Sequence, residues 1–220
     1  MKYRIDKKSG KELSMLGFGC LRFPKSMGSI DQKRTTEIIA EAVRRGVNYF
    51  DTAHTYPGSE AALGEAIETL GIRDKVYIAT KLPGYNCRKS EDFDRIFSQQ
   101  LERLRTDHID FYLLHNVNSF EQYEKLRQMG IEQWFERKRE EGRIDRVGFS
   151  FHGPYGEFEK LIKAYNWDLC LIQYNYSDEN YQAGRRGLEL AESMGISVMI
   201  MEPLLGGRLA TGLPKQAEAA

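Results

Sequence analysis

Side chains that can transfer a proton stand at the ends of several apolar stretches of this sequence. Asp51, Lys81 and His115 each end such a stretch, and Tyr56 follows Asp51 by five positions. A tyrosine has a pKa of about 10, so it needs a nearby cation to donate a proton efficiently near neutral pH. Lys81 is the natural cation, and the Asp51 carboxylate would keep it charged in a partly dry pocket. The four residues together indicate proton donation to a substrate oxygen, which His115 could also orient by a hydrogen bond.

Further polar residues follow the same pattern later in the chain. They lie at the ends of apolar runs, and they are Asn116, Ser150, Gln173, Asn175 and Glu202. Each one alone is consistent with an ordinary satisfied polar group at a strand end, but the whole set favours one common site. We expect no metal there, because the other rim histidines, His54 and His152, lack metal-ligand spacing.

The elements that must position these residues alternate along the chain between short apolar runs and stretches of helical period. A hairpin is predicted first, from Tyr3 to Ile5 and from Leu13 to Leu16. Seven strands are predicted after it, at 17–20, 47–51, 76–81, 109–115, 147–150, 169–175 and 197–202. Six helices are predicted between them, at 32–46, 59–70, 91–104, 120–141, 156–165 and 181–194. The predicted helix caps are Asp31, Ser90 and Ser119 at N-termini, and Gly46, Gly71 and Gly195 at C-termini.

Strands that are apolar on both faces and joined by helices indicate a parallel sheet covered by helices. Closure into a barrel is favoured over an open sheet, because the polar strand ends would then surround one rim. We therefore predict an α/β fold, a parallel (β/α)₈ TIM barrel with an N-terminal hairpin, as a single domain over residues 1–220. An eighth strand is missing, and residues 213–220 look like the start of a helix, so we expect a C-terminally truncated barrel. Its open sheet edges favour self-association.

Composition excludes several classes of function. The 220 residues carry 32 Lys plus Arg and 32 Asp plus Glu, so no net charge attracts nucleic acid or an anionic membrane. No signal peptide or apolar span of about 18 residues is present, and we expect a cytoplasmic protein. Cys20, Cys87 and Cys170 are far apart, which predicts reduced thiols. The sequence has neither a GxGxxG nor a GxxxxGK[ST] phosphate-binding motif.

One segment resembles a known family signature. Gly46-Val47-Asn48-Tyr49-Phe50-Asp51-Thr52-Ala53-His54-Thr55-Tyr56 is similar to the aldo-keto reductase motif, in which an aspartate ends the second barrel strand and a tyrosine follows. The resemblance continues at Ala79-Thr80-Lys81, Asp110-Phe111-Tyr112-Leu113-Leu114-His115, Val147-Gly148-Phe149-Ser150 and Ile172-Gln173-Tyr174-Asn175, and extends from about Leu16 to Gly207. The segment Met201–Gly207 most resembles the branch whose full-length members carry a C-terminal iron–sulfur module of ferredoxin type. We expect no iron–sulfur cluster in this chain.

The resemblance implies an oxidoreductase that transfers hydride between NADPH, or alternatively NADH, and a small aldehyde or ketone. It implies Asp51, Tyr56, Lys81 and His115 as catalytic residues, with Tyr56 as the general acid. It also implies that Ser150 and Gln173 hold the nicotinamide carboxamide, that Asp51 lies near the ribose and that Met201 packs on the ring. The remaining implied cofactor-binding residues are Gly19, Cys20, Glu202, Leu204 and Gly206. Two positions depart from the family pattern, since many members have an aromatic residue at Met201 and asparagine at Phe151.

Two other functions fit the same residues. A Schiff-base aldolase would use Lys81 as nucleophile and Tyr56 as proton shuttle. A nicotinamide-binding scaffold or regulatory subunit would bind the cofactor without turnover. The loops at the barrel rim determine which substrate binds, and the sequence alone does not identify that substrate.

Overall fold

The computed structural model describes residues 1–211, which form eleven strands and seven α-helices. The strands are β1 (Tyr3–Ile5), β2 (Glu12–Ser14), β3 (Phe18–Gly19), β4 (Lys25–Ser26), β5 (Ser29–Ile30), β6 (Tyr49–Asp51), β7 (Tyr77–Leu82), β8 (Ile109–Val117), β9 (Ile144–Phe151), β10 (Leu169–Gln173) and β11 (Ser197–Met201). The helices are α1 (Gln32–Arg44), α2 (Ser59–Leu70), α3 (Glu91–Leu104), α4 (Phe120–Gln128), α5 (Ile131–Glu140), α6 (Tyr155–Lys163) and α7 (Gly184–Ser193). Short 3₁₀ turns occur at Cys20–Arg22, Arg73–Lys75, Gly84–Asn86 and Leu205–Ala210.

Seven strands form one parallel sheet in the order β3-β6-β7-β8-β9-β10-β11. Each strand pairs with the next one of the sheet along the chain, and from β6 onward at least one α-helix lies between consecutive strands. This is the sequential βα order of a (β/α)₈ barrel. The sheet curls into the greater part of such a barrel, which confirms the predicted fold class.

Apolar residues pack on both faces of this sheet. Along β8, Tyr112 and Leu114 join the larger core between the sheet and the helices, whereas Phe111 and Leu113 join a smaller inner cluster with Tyr49. Successive side chains of a strand point to opposite faces, so residues of one parity share the inner face. This parity decides which strand-end residues face the inside of the barrel.

The N-terminal hairpin covers the end of the barrel where the strands begin. β1 and β2 pair in antiparallel fashion, and Leu13 of β2 joins the inner cluster. Lys11 forms ion pairs with Asp110, at 3.3 Å, and with Asp145, both at the starts of strands. The hairpin therefore lies opposite to the end where the strands finish.

Several predicted boundaries needed correction. The single helix predicted over 120–141 is two helices, because the chain turns at Gly130, whose φ of 87° is left-handed. The hairpin of β4 and β5, which encloses Met27 and Gly28, was not predicted. The strand predicted at 169–175 ends at Gln173, and Asn175 instead accepts backbone hydrogen bonds within a turn.

The predicted helix caps differ in outcome. The Asp31 carboxylate accepts a hydrogen bond from the Arg34 backbone N–H at 2.9 Å, and the Ser119 hydroxyl accepts one from the Gln122 backbone N–H at 3.4 Å. Ser90 was wrong as a cap, since its side chain makes no capping bond. Gly46, Gly71 and Gly195 all have positive φ at helix ends, as predicted. The helix predicted over 213–220 lies outside the described residues.

The three cysteines are free and buried, as expected for reduced thiols. Within residues 1–211, none of the helices has the length and apolar character needed to cross a bilayer.

Candidate active site

Strand parity brings the candidate residues to the inner face of the sheet at its C-terminal edge. Asp51 shares its face with Tyr49, Lys81 with Ala79, and His115 with Phe111 and Leu113, all of which belong to the inner cluster. The same argument places Ser150, Gln173 and Met201 at the inner rim. Residues separated by up to 150 positions therefore surround one opening.

Lys81 is the best-anchored residue of the site. Its Nζ donates hydrogen bonds to Asp51 Oδ1 at 2.6 Å and to the Thr52 carbonyl oxygen at 2.7 Å, and the side chain is only 1% exposed. Its Nζ lies 5.2 Å from the centre of the Tyr56 ring. The structure therefore brings Asp51, Lys81 and Tyr56 together, with the ammonium group bonded to the carboxylate and close to the phenol ring.

Burial raises the pKa of the Tyr56 hydroxyl, although Lys81 acts to lower it. The expectation that Lys81 brings this pKa below its ordinary value is therefore wrong for the protein alone. The effect of Lys81 has the predicted sign, but removal from water favours the neutral phenol more strongly, and the Asp51 carboxylate adds to that effect. Tyr56 consequently stays protonated at neutral pH.

His115 is held neutral beside Tyr56. Its ring centre lies 5.8 Å from that of Tyr56 in an edge-on arrangement. Burial, followed by the positive charge of Lys81, lowers the pKa of His115 to about 3. The Thr55 hydroxyl lies 3.2 Å from Nδ1. If Thr55 donates this bond, Nε2 carries the proton and can donate a hydrogen bond to a ligand.

A second polar layer supports the strand that carries Lys81. Gln100 donates hydrogen bonds from Nε2 to the Lys81 carbonyl oxygen at 3.0 Å and to Glu60 Oε1 at 2.9 Å, and it accepts one from the Tyr112 hydroxyl at 2.7 Å. Glu60 also accepts a hydrogen bond from Thr80 at 2.6 Å, and all these side chains are buried. A buried network whose members are paired holds the backbone in one arrangement.

Two rim residues have unused hydrogen-bonding capacity suited to a nucleotide cofactor. Asp51 Oδ2 is buried and has no partner among the described residues, so it can accept a bond from a ribose hydroxyl. Ser150 Oγ accepts a bond from the Asn116 backbone N–H at 2.8 Å, which leaves its hydroxyl hydrogen to donate. The residues present therefore fit a nicotinamide nucleotide.

The other predicted cofactor residues lie on both sides of this opening. Gln173 pairs in register with Met201, and it contacts Glu202 at 3.4 Å and Gln182 at 3.2 Å through its amide group. Gly19 pairs in register with Asp51. The three remaining positions differ in their surroundings. Cys20 is buried, Leu204 is exposed, and Gly206 has a left-handed φ of 67°.

Sequence reasoning missed Thr52 and Thr55 as parts of the site. Both lie within the segment between Asp51 and Tyr56, but no spacing rule distinguishes a threonine that contacts a catalytic side chain from an ordinary loop threonine. His54 and His152, for which we expected no metal, have different environments. His54 Nε2 lies 3.4 Å from Gln99 Oε1, and His152 is exposed. Among residues 1–211, no three His, Cys, Asp or Glu side chains are grouped to hold a metal ion.

Comparison with known proteins decides the family. The model of the aldo/keto reductase family matches residues 15–218, almost the whole chain. The chain belongs to the aldo/keto reductase family. This aldo/keto reductase chain is 30% identical over 201 residues to methylglyoxal reductase YeaE of Escherichia coli, a match that covers 87% of this chain and 66% of that protein. It thus spans about two thirds of the length of this curated relative.

Solved aldo/keto reductases share the fold. The aldo-keto reductase AKR11C1 of Bacillus halodurans, in its holo form, superposes with a TM-score of 0.80 at 28% identity, covering 98% of this chain and 71% of that one. An aldo/keto reductase of Klebsiella pneumoniae in complex with NADP and acetate superposes with a TM-score of 0.73 at 25% identity, covering 93% and 69% of the two chains.

Proposed function

We propose that this chain binds NADPH and reduces the carbonyl group of a small aldehyde or ketone to an alcohol. The observation that carries the proposal is the meeting of Asp51, Tyr56, Lys81 and His115 at one rim of the barrel. Family membership and the NADP complex of the Klebsiella relative support it. Asp51, Ser150, Gln173 and Met201 would hold the cofactor, with Gly19, Cys20, Glu202, Leu204 and Gly206 completing its site.

NADPH, when bound, supplies the hydride that reduces the carbonyl carbon. Tyr56 donates its phenolic proton to the carbonyl oxygen as negative charge develops there. Lys81 stabilises the phenolate that remains, and Asp51 keeps the ammonium group in place. Neutral His115 donates a hydrogen bond from Nε2 to the same oxygen and thereby orients the carbonyl.

The geometry of Lys81 disfavours the aldolase alternative. A Schiff-base lysine must present a neutral amine that a substrate carbonyl can approach. Lys81 is almost fully buried and donates hydrogen bonds to Asp51 and to the Thr52 carbonyl oxygen. Borohydride reduction in the presence of a carbonyl substrate would leave a covalent adduct on Lys81 only in the aldolase case.

The decisive experiment separates cofactor binding from turnover. We expect Tyr56→Phe to lower kcat for aldehyde reduction by about 10²- to 10⁴-fold, the usual contribution of a positioned acid. NADPH affinity, measured by the fluorescence of the nucleotide, should change little. Tyr3→Phe is the matched control, because Tyr3 is an exposed tyrosine of the N-terminal hairpin, at the opposite end of the barrel.

Three results have different meanings. Loss of turnover with retained binding supports Tyr56 as the acid. NADPH binding without turnover in the unsubstituted chain favours the scaffold alternative. No binding of either NADPH or NADH contradicts the proposal. The preference for NADPH, the cytoplasmic location and the likeness of Met201–Gly207 to the iron–sulfur branch stay predictions.

A further inference from the structure

A cavity of about 290 Å³ lies beside His115 at the rim. Its walls come from the turn after β7, the end of β8 and one face of α4. Apolar side chains form much of the lining, and they are Leu114, Val117, Leu126 and Met129. A space of this size and character is at the lower end of small-molecule sites in proteins.

The charges that line the cavity are all positive. Arg88 and Lys125 are the only fully charged residues of the lining, and Asn116 and Gln122 add polar groups. Within residues 1–211, the Arg88 side chain is exposed and has no carboxylate within ion-pair distance. Lys125 pairs with Glu121 at 2.8 Å, but both side chains are more than 60% exposed, so this pair contributes little.

Asp92, the carboxylate that contacts the Arg88 backbone, is already neutralised by another cation. Asp92 accepts a hydrogen bond from the Arg88 backbone N–H at 2.9 Å, and its other oxygen binds the Arg95 guanidinium at 2.8 Å. These contacts fix the backbone of the turn and leave the Arg88 guanidinium for another partner. A guanidinium group matches a carboxylate, because it donates two parallel hydrogen bonds.

His115 connects the cavity to the proposed reaction centre. It lines the cavity and lies edge-on to Tyr56. The cavity and the proposed reaction centre therefore share His115, near the C-terminal end of β8. Tyr85 also lines the cavity, and its ring centre lies 6.4 Å from that of His115.

We propose that the substrates of this chain are aldehydes or ketones that also carry a carboxylate, which binds to Arg88 and Lys125. This inference rests on the proposed function. The apolar lining accommodates the carbon skeleton between the two groups, while the two cations select an anion over a neutral analogue.

The test compares 4-formylbenzoate with its neutral isostere 4-formylbenzamide as substrates with NADPH. We expect kcat/KM to be about two- to fivefold higher for the carboxylate, the factor that an ion pair with exposed cations provides. Arg88→Gln should remove most of this preference by raising KM for the carboxylate only. Lys89→Gln is the matched control, because Lys89 is the adjacent exposed cation and does not line the cavity.

Binding of the unreactive pair 4-methylbenzoate and 4-methylbenzamide gives a second readout that needs no turnover. Calorimetry of the full chain with NADP⁺ should show tighter binding of the carboxylate, and Arg88→Gln should abolish the difference. Equal affinities, or an equal loss for both ligands in Arg88→Gln, would overturn the inference. Selective carboxylate binding without any aldehyde turnover would support the anion site but contradict the proposed reductase function.

Discussion

The protonation states of Tyr56 and His115 follow from their partial removal from water. Burial raises the pKa of Tyr56 and lowers that of His115, so both side chains are neutral near pH 7. The charge of Lys81 acts on both pKa values: it opposes the effect of burial at Tyr56 and adds to the effect of burial at His115. Both groups can therefore donate a hydrogen bond to a carbonyl oxygen, and Tyr56 also carries a proton that it can transfer.

His115 should make the fold sensitive to acid. Its pKa is about 3 in the folded protein, against an ordinary value of 6.5, so above pH 6.5 it is neutral in both states. As the pH falls from 6.5 towards 3, the unfolded chain binds a proton that the folded chain does not, and stability is lost. We expect the free energy of unfolding of His115→Gln, measured in urea, to fall less than that of the unsubstituted protein between pH 7.5 and 4.5. Parallel pH dependences of the two proteins would contradict this.

Thr55 should select the tautomer of His115. Thr55→Val removes the hydroxyl group 3.2 Å from Nδ1 and leaves a side chain of similar shape. We expect the ¹⁵N shifts of His115 to show a larger fraction of the Nδ1–H form. We expect kcat to fall by about tenfold, less than the 10²- to 10³-fold lost when such a donor is removed, because part of the Nε2–H form remains. Thr55→Ser retains the hydroxyl and should restore both properties. Unchanged ¹⁵N shifts in Thr55→Val would show that Thr55 does not set the tautomer.

At the scale of elements, close packing between neighbouring helices positions the strands that carry the site. Gly64 of α2 lies against the end of α3, where an added Cβ would come within 2.4 Å of the Arg103 backbone oxygen. Only glycine allows this approach, and the adjacent Glu60 of α2 reaches Arg103 at 3.3 Å and Thr80 of β7. The α2–α3 contact therefore supports the strand that ends near Lys81.

We expect Gly64→Ala to destabilise the protein by about 2 kcal/mol, a typical cost of overpacking against backbone. Gly156→Ala is the control, since Gly156 lies in α6 with open space around it, and alanine there should stabilise the helix by about 0.5–1 kcal/mol. Chemical denaturation measures both changes. A Gly64→Ala protein as stable as the unsubstituted one would show that the helices can separate without cost.

At the scale of the whole molecule, the sheet is bounded by β3 and β11. Neither strand pairs with a further strand on its outer side within residues 1–211. The residues of β11 are only partly covered, and Ile200 is 38% exposed. The sequence has no net charge to oppose association. An uncovered edge strand of this kind is a template for pairing with another chain.

The full chain should therefore associate with itself through β11. We expect its weight-average sedimentation coefficient to rise with protein concentration, and Ile200→Lys to suppress that rise, because a charged side chain on an edge strand opposes pairing. Ile5→Lys, a change at a more exposed isoleucine on the N-terminal hairpin, should have no such effect. Suppression by both variants equally would assign the association to general surface hydrophobicity instead.

Local pattern in the sequence determined the order of the elements and the identity of the strand-end residues. The predicted spans 59–70 and 91–104 agree with α2 and α3 to the residue, because each combines a clear helical period with distinct flanking residues. The position of Asp51, Lys81 and His115 at the ends of apolar runs was also read locally, and it predicted that they surround one rim. The chemistry proposed for these residues rested on their types and order, both of which the sequence contains.

The features of the site that depend on contacts between distant residues could be found only in the tertiary structure. The sign of the Tyr56 pKa shift required the balance of its burial against Lys81, which is 25 positions away. The contact of Thr55 with His115 arises from packing between separate elements, and so does the cavity that Arg88 and Lys125 line. The break at Gly130 was missed because the helical period continues across it. Desolvation and packing are properties of a complete arrangement of atoms, so periodicity along the chain does not encode them.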